Sequence, residues 1–411
     1  MTDLSVRNGR IWTQDPASPW AEAAVIRDGR FAFVGREVDL PAPAGTAVVD
    51  ARGGLVLPGF CDAHAHLMST GFARQQLQLK DVRTVAEVQR LVANRAGSLQ
   101  PGTWIQGSGW DQNLWPGARF PTREDLDGAA PNNPVFLVHT SAHCAWVNSA
   151  ALRIARIDAL TEAPNGGQID RDSSGEPTGI LRDNAIDLVR RHIPRPGPAE
   201  RREALREAIS HALAHGLTAV HAMDVGASEL EALEALEAEG ALALRVRAFL
   251  TARDLQRWEG RRTGDGTELL AIGGVKFFAD GALGSVTAWM VDPYEGTAET
   301  GFPLQPADEL EAGVRWCLEH GLAPAIHAIG DRANAEVVAI LERLRHLAPD
   351  LPRRIEHAQL LRQDLPGRMA ALSLTASVQP IHATQDMDKV DRLWGGRGRL
   401  AIRSRPSAPP A

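Results

Sequence analysis

Hydrophobic positions in this chain change their spacing near residue 58. Before it, short runs such as Leu4-Ser-Val-Arg, Gly9-Arg-Ile-Trp, Ala23-Ala-Val-Ile, Arg30-Phe-Ala-Phe-Val and Ala47-Val-Val are separated by turn residues. That is the signature of short strands. Asn8-Gly9 and Asp28-Gly29 fall between runs and predict tight hairpins, since those turns favour residues that accept positive φ. Short strands bury little on their own, so residues 1–58 predict a small β-module, half of a sandwich.

Beyond residue 59 the pattern becomes strand–helix alternation. Leu217–Met223, Leu244–Leu250, Gly274–Phe278, Pro324–His327, Arg354–His357 and Leu374–Gln379 read as buried strands. Between them Glu200–His215, Ala227–Glu239, Asp308–His320 and Ala333–Leu347 carry helical periodicity. Repeated βα units make a parallel sheet, open or closed. Residues 80–198 do not fit the repeat and read as an inserted subdomain. The barrel region is thus 59–396, followed by an irregular Pro/Arg/Ser/Ala-rich tail over 397–411, expected to be disordered.

Composition narrows the classes. Of 411 residues, 44% are hydrophobic and 23% charged, the balance of a soluble globular protein. A net charge of -7 gives no reason to expect nucleic acid or an anionic membrane. The three scattered cysteines and the absence of signal-peptide or membrane-span patterns predict a cytoplasmic protein.

The chemistry lies in the histidines. His64 and His66 close the apolar run Leu55-Val-Leu-Pro-Gly-Phe-Cys-Asp-Ala-His-Ala-His66. At a spacing of two on a strand, both rings face one side, as a metal ion requires of neutral nitrogen ligands. His327 and His357 also end strands, on the face where parallel barrels build active sites. Lys276 lies inside an apolar strand, where it must be paired, neutral or modified. Two readings stay open: a structural ion pair with Asp280 or Glu356, or a metal-bridging carbamate.

Together Gly53–His66, Val275-Lys-Phe-Phe-Ala-Asp-Gly281, Ile326-His-Ala-Ile-Gly-Asp331, Arg354-Ile-Glu-His-Ala358 and the inserted His139–Ser149 segment resemble the amidohydrolase superfamily, in its YtcJ-like, N-substituted formamide deformylase-like branch. The resemblance implies an α/β fold, a (β/α)8 TIM-type barrel with a β-sandwich built from both chain ends. It further implies one or two divalent metal ions, zinc expected, held by His64, His66, Lys276 (carbamylated in relatives with two metals), His327 and His357. The activity implied is hydrolysis of non-peptide C–N bonds in amides, N-formyl compounds or cyclic ureides by metal-activated water.

Other candidates are weaker. Lys276 and Asp280 are the candidate catalytic pair, Asp280 as a group orienting the site. His139, His143 and His221 are candidate substrate contacts, with plain packing an equal reading for the first two. Asp331 either orients His327 or caps a helix. Trp104, Trp110, Trp115 and Trp146 either line a pocket or fill a core.

One element of the resemblance has no counterpart. Relatives carry a Gly-Ser-Asp eighth strand whose aspartate binds metal and moves the proton; here Ala376-Ser-Val-Gln-Pro-Ile-His382 is followed only by Asp391–Leu400 and the tail. The expectation is a barrel lacking its eighth strand and returning sandwich strands, with impaired catalysis. An inactive metal-binding remnant is the rival, and a phosphotriesterase-like hydrolase a third reading. The expected partner is a small molecule, with homo-oligomerisation open.

Overall fold

The computed structural model describes residues 3–41, 47–141 and 143–401. Its contacts form two compact units, one holding the residues up to Asp62 with His215–Ala219, the other the remainder. In the first, Arg30–Gly35, Ala23–Arg27, Leu4–Arg7 and Ala47–Asp50 form a four-stranded sheet in that order. Trp20–Ala21, Arg10–Trp12 and Leu55–Val56 form a second sheet. Ile11, Ala21 and Ala24 make a small core with Val6 and Val56. Asp28 and Gly29 both take positive φ, 50° and 75°, and close the hairpin pairing Arg27 with Arg30. Asn8-Gly9 makes no hairpin: its flanking strands enter different sheets, and of the pair only Asn8 has positive φ.

The second unit carries the inserted segment. Gly167–Arg171, Pro177–Asp183, Cys144–Val147, Val135–His139, Ile105–Trp110 and Leu77–Gln78 form one sheet in that order. The insertion's tryptophans are packing residues, not a pocket lining. Trp110, Trp115 and Trp146 are buried together, and their indole N–H groups donate to the carbonyls of Leu137, Val82 and Thr122. Trp104 packs on the neighbouring cluster around Phe136 and Ile186.

The sheet that positions the site has seven strands: β1 (Phe60–Ala65), β2 (Leu217–Val225), β3 (Arg245–Thr251), β4 (Leu270–Phe278), β5 (Pro324–Ala328), β6 (Arg354–His357) and β7 (Thr375–Ser377). They neighbour one another in chain order, and the pairs from β3 to β7 are parallel. Helix α1 (Leu67–Gln75) follows β1, and α2 (Pro198–Ala214) precedes β2. They cross at Gly71, where a Cβ would stand 1.8 Å from the Ala204 carbonyl oxygen, so only glycine allows the approach. Then come α3 (Ala227–Ala238), α4 (Ala307–Glu319), α5 (Asp331–Arg343) and α6 (Leu365–Ala371), one after each of β2, β4, β5 and β6.

The sheet curls until its first strand meets its sixth. Arg354 on β6 donates to the Ala63 carbonyl on β1 at 2.9 Å, and the rings of His64 and His357 lie 4.6 Å apart. The result is a nearly closed parallel barrel. No eighth strand joins its sheet among the described residues.

β4 begins four residues earlier than the sequence pattern suggests. Gly273-Gly274 looks like a break but lies within the strand, beside a register shift between Ala248 and Phe249. Gly274 has φ of 147°, and a Cβ there would stand 2.0 Å from the Ala323 carbonyl oxygen. The disorder expected from residue 397 is not met over residues 397–401. Gly395–Leu400 forms a short helical turn, Arg397 donates to the carbonyls of Asp292 and Pro293, and Leu400 and Ala401 pack near Trp394. Residues 402–411 of that expectation lie outside the described residues.

Candidate active site

Four imidazoles meet at one end of the barrel. His64 is on β1, His66 caps α1 just beyond it, His327 is on β5 and His357 ends β6. Ring centroids are 5.7 Å apart for His64–His66, 4.6 Å for His64–His357 and 4.6 Å for His327–His357. His357 and Ala358 both take left-handed backbone, φ 70° and 44°, an unusual pair for residues with a Cβ and a local strain held at the cluster.

Hydrogen bonds orient the rings of His64, His357 and His327. His64 Nδ1 lies 2.7 Å from Glu356 Oε2. Glu356 is fully buried, and Arg354 donates to both of its oxygens, at 2.9 and 3.2 Å. Burial opposes charge on Glu356, yet the hydrogen bond from His64 and the charge of Arg354 outweigh it and hold its pKa below the ordinary value. An ionised carboxylate only accepts, so His64 Nδ1 carries the proton and Nε2 keeps its lone pair. His357 Nδ1 sits 2.5 Å from Gln379 Oε1, while the Gln379 amide nitrogen donates to the Ser377 carbonyl. His327 Nε2 donates to the Gly281 carbonyl at 2.8 Å.

Burial favours the neutral form of three of these imidazoles. Burial first, then the charge of Lys276, lowers the His327 pKa to about 3. Burial first, then His327, lowers that of His357 to about 2. His66 is lowered by burial and by His64. Neutral imidazole is the metal-binding form.

Lys276 is 1% exposed, and its Nζ has no hydrogen-bond partner among the described residues. Burial lowers its pKa to about 7. Neither suggested ion-pair partner holds it. The Asp280 oxygens accept from the backbone N–H groups of Ile329, Trp289 and Gly330, and Glu356 is taken by His64 and Arg354. Asp280 therefore anchors the loops around β4 and β5, and its Oδ1 also stands 3.5 Å from His327 Nε2. Its buried carboxyl is pushed up to about 6. Asp331, the first residue of α5, accepts from Val291 N and Arg332 N and so ties a loop to the start of that helix.

The three candidate substrate histidines divide. His221 accepts from Arg354 at 2.6 Å and faces Phe249, so it belongs to the Arg354 network. His139 bonds Ser141 and packs edge-on to Trp110. His143 pairs with Asp183 with its side chain 78% exposed. His139 ends a strand of the insertion's sheet and His143 stands in the turn before the next strand, and these contacts do not involve the cluster.

Several residues at the site escape a sequence reading. Glu356 and Arg354 are among them. His382 stacks edge-on to His357 at 5.6 Å and bonds Asp386 at 2.8 Å; its only sequence signal was the Gln379-Pro-Ile-His motif after β7. Asp224, at the end of β2, has a buried Oδ1 without a hydrogen bond and lines the same cavity as Lys276.

The donor chemistry fits a divalent ion: neutral imidazoles around a buried amine that lacks a partner. Their nitrogens are not yet gathered, because His327 turns Nε2 to Gly281. No three His, Cys, Asp or Glu side chains among the described residues form a ready grip.

A family model described as the amidohydrolase family matches residues 47–406. The protein LONG AFTER FAR-RED 3 of Arabidopsis thaliana is 36% identical over 96% of this chain and 71% of its own. YtcJ of Bacillus subtilis (strain 168) is 32% identical over 96% and 76%, and N-substituted formamide deformylase of Arthrobacter pascens 30% over 99% and 78%. An uncharacterized metal-dependent hydrolase from Pyrococcus furiosus superposes with a TM-score of 0.81 at 30% identity, covering 98% of this chain and 82% of its own.

Proposed function

The chain belongs to the amidohydrolase family, and on that premise we propose that it is a metal-dependent hydrolase of non-peptide C–N bonds in amides, N-formyl compounds or cyclic ureides. One observation carries the reading: four imidazoles, three of them with lowered pKa, converge beside a buried Lys276 Nζ that has no hydrogen-bond partner among the described residues. The names of a formamide deformylase and a metal-dependent hydrolase, both 30% identical, support the substrate class and the metal.

A divalent ion, zinc expected, supplies polarisation of the scissile carbonyl and acidification of water. His64, His66, His327 and His357 would hold it. Glu356 fixes the His64 tautomer and Gln379 orients His357. Lys276, as a neutral amine, can add to carbon dioxide, forming an N–C bond and releasing a proton, which makes it an oxygen donor. The apolar burial that lowers its pKa favours that neutral form.

A catalytically impaired or inactive metal-binding form is the second reading, favoured by the seam between β1 and β7 that no strand fills among the described residues. No helix there is long and apolar enough to cross a membrane. A cytoplasmic location and small-molecule partners remain part of the proposal.

Elemental analysis with a formate- and ammonia-release panel, with and without chelator, tests it. Stoichiometric divalent metal and chelator-sensitive hydrolysis are expected. Metal without turnover on any amide, formamide or ureide selects the inactive form, and absence of metal overturns both readings.

A further inference from the structure

A cavity of about 470 Å³ opens beside Lys276, within the usual range of small-molecule sites. Asp224, Thr251, Arg253, Lys276, Phe278 and Leu304 lie on its wall. We propose that this cavity receives substrates bearing a carboxylate, and that Arg253 recognises that carboxylate. The placing of the scissile bond rests on the hydrolase reading; the binding of the anion does not.

The backbone sets the geometry. Thr251 on β3 pairs with Lys276 on β4, and Arg253 is two residues further along the turn that follows β3. Two residues span at most about 7 Å, so the Arg253 backbone stays beside Lys276, and both residues line the cavity. The turn is fixed: the Thr251 hydroxyl accepts from the Arg253 backbone N–H, and the Trp258 indole donates to the Thr251 carbonyl.

Arg253 is poised to take a ligand. Its side chain is 83% exposed, and its ion pair with Asp224 Oδ2 is 3.6 Å long, beyond hydrogen-bond distance. Asp224 therefore holds the guanidinium near the cavity without taking up the planar N–H fork that matches a carboxylate. Deeper in, Lys276 Nζ and Asp224 Oδ1 are buried without hydrogen-bond partners, so the inner wall has polar groups that a ligand can satisfy. Phe278 and the half-exposed Leu304 offer apolar surface between the two ends. An amide at the histidines, an apolar side chain against Phe278 and Leu304 and a carboxylate at Arg253 together describe an N-acyl amino acid.

Calorimetric titration of the metal-loaded full chain with N-formyl-phenylalanine and with N-formyl-phenethylamine tests this, since the two differ only in the carboxylate. The carboxylate ligand should bind about tenfold more tightly, as a charge-assisted bidentate pair allows. Arg253→Gln should abolish that difference. Equal affinities in the unaltered protein, a preference that survives Arg253→Gln, or no binding of either compound would overturn the assignment. Formate measured in the same samples reports separately: no formate with the preference intact overturns the hydrolase reading and leaves the anion site standing.

Discussion

Glu356 grips His64 at 2.7 Å across the point where the sixth strand of the barrel meets the first. The carboxylate is itself clamped by Arg354, which also reaches Ala63 O, His221 and Ser377 Oγ. One buried cluster thus closes the barrel and sets the tautomer of a candidate metal ligand. Glu356→Gln should lower metal affinity about 10- to 100-fold, the usual effect of losing a ligand-orienting partner. Competition against a chromophoric chelator measures this. Unchanged affinity would show that His64 needs no such orientation.

Lys276→Met replaces a buried amine without a hydrogen-bond partner by an apolar side chain of similar shape. We expect the fold to be kept or stabilised by about 1 kcal/mol or more, since no pair is broken. Hydrolysis should be lost. Thermal melts alongside turnover would reveal the opposite pattern, destabilisation with retained activity, were Lys276 only structural.

Acid should weaken the metal-free chain. His327 and His357 have folded pKa values of about 3 and about 2, below the ordinary imidazole value, so at these groups the unfolded chain binds more protons than the folded one and their contribution to stability falls as pH drops below about 6.5. Each imidazole adds a slope of up to about 1.4 kcal/mol per pH unit. Asp280, raised to about 6, and Glu229, raised to about 7, act in the other direction and offset the two imidazoles between about pH 4.5 and 6. Urea midpoints of chelator-treated protein should therefore change little over that window and decline below about pH 4, and bound metal should oppose the decline. A flat profile below about pH 4 would contradict the burial of the cluster.

Gly71→Ala should cost about 1–3 kcal/mol, because its methyl group would press on the Ala204 carbonyl where α1 and α2 cross. Chemical denaturation measures it. A neutral result would mean that the helices separate freely.

The strands that carry the clustered histidines were legible because strand ends and alternation act locally. His64-x-His66, His327 and His357 stand where βα units place chemistry, and Lys276 was conspicuous among apolar neighbours. What remained hidden depends on distant contacts. His357 takes left-handed backbone at the end of β6, which breaks strand alternation there, so nothing local ties Glu356 to a histidine 292 residues away. Asp280 follows the lysine in sequence, yet its carboxylate serves the backbone of Trp289, Ile329 and Gly330. Gly273-Gly274 resembled a strand start because composition does not distinguish a break from a bulge. The insertion's tryptophans and histidines had no periodic context, and only its own sheet shows that they pack together.

The separation between His64 and Glu356 also bears on how the protein is made. The first strand leaves the ribosome almost three hundred residues before the strand that satisfies its histidine. Through most of synthesis the nascent chain carries a metal-affine His-x-His pair without its orienting carboxylate. Contacts of such long range form slowly and leave partly assembled chains open to misassociation. On the proposed reading, metal loading would belong to the last stage of folding, after release of the sixth strand. Early metal capture by the isolated pair would be a hazard that chaperoning or a low free-metal level must contain.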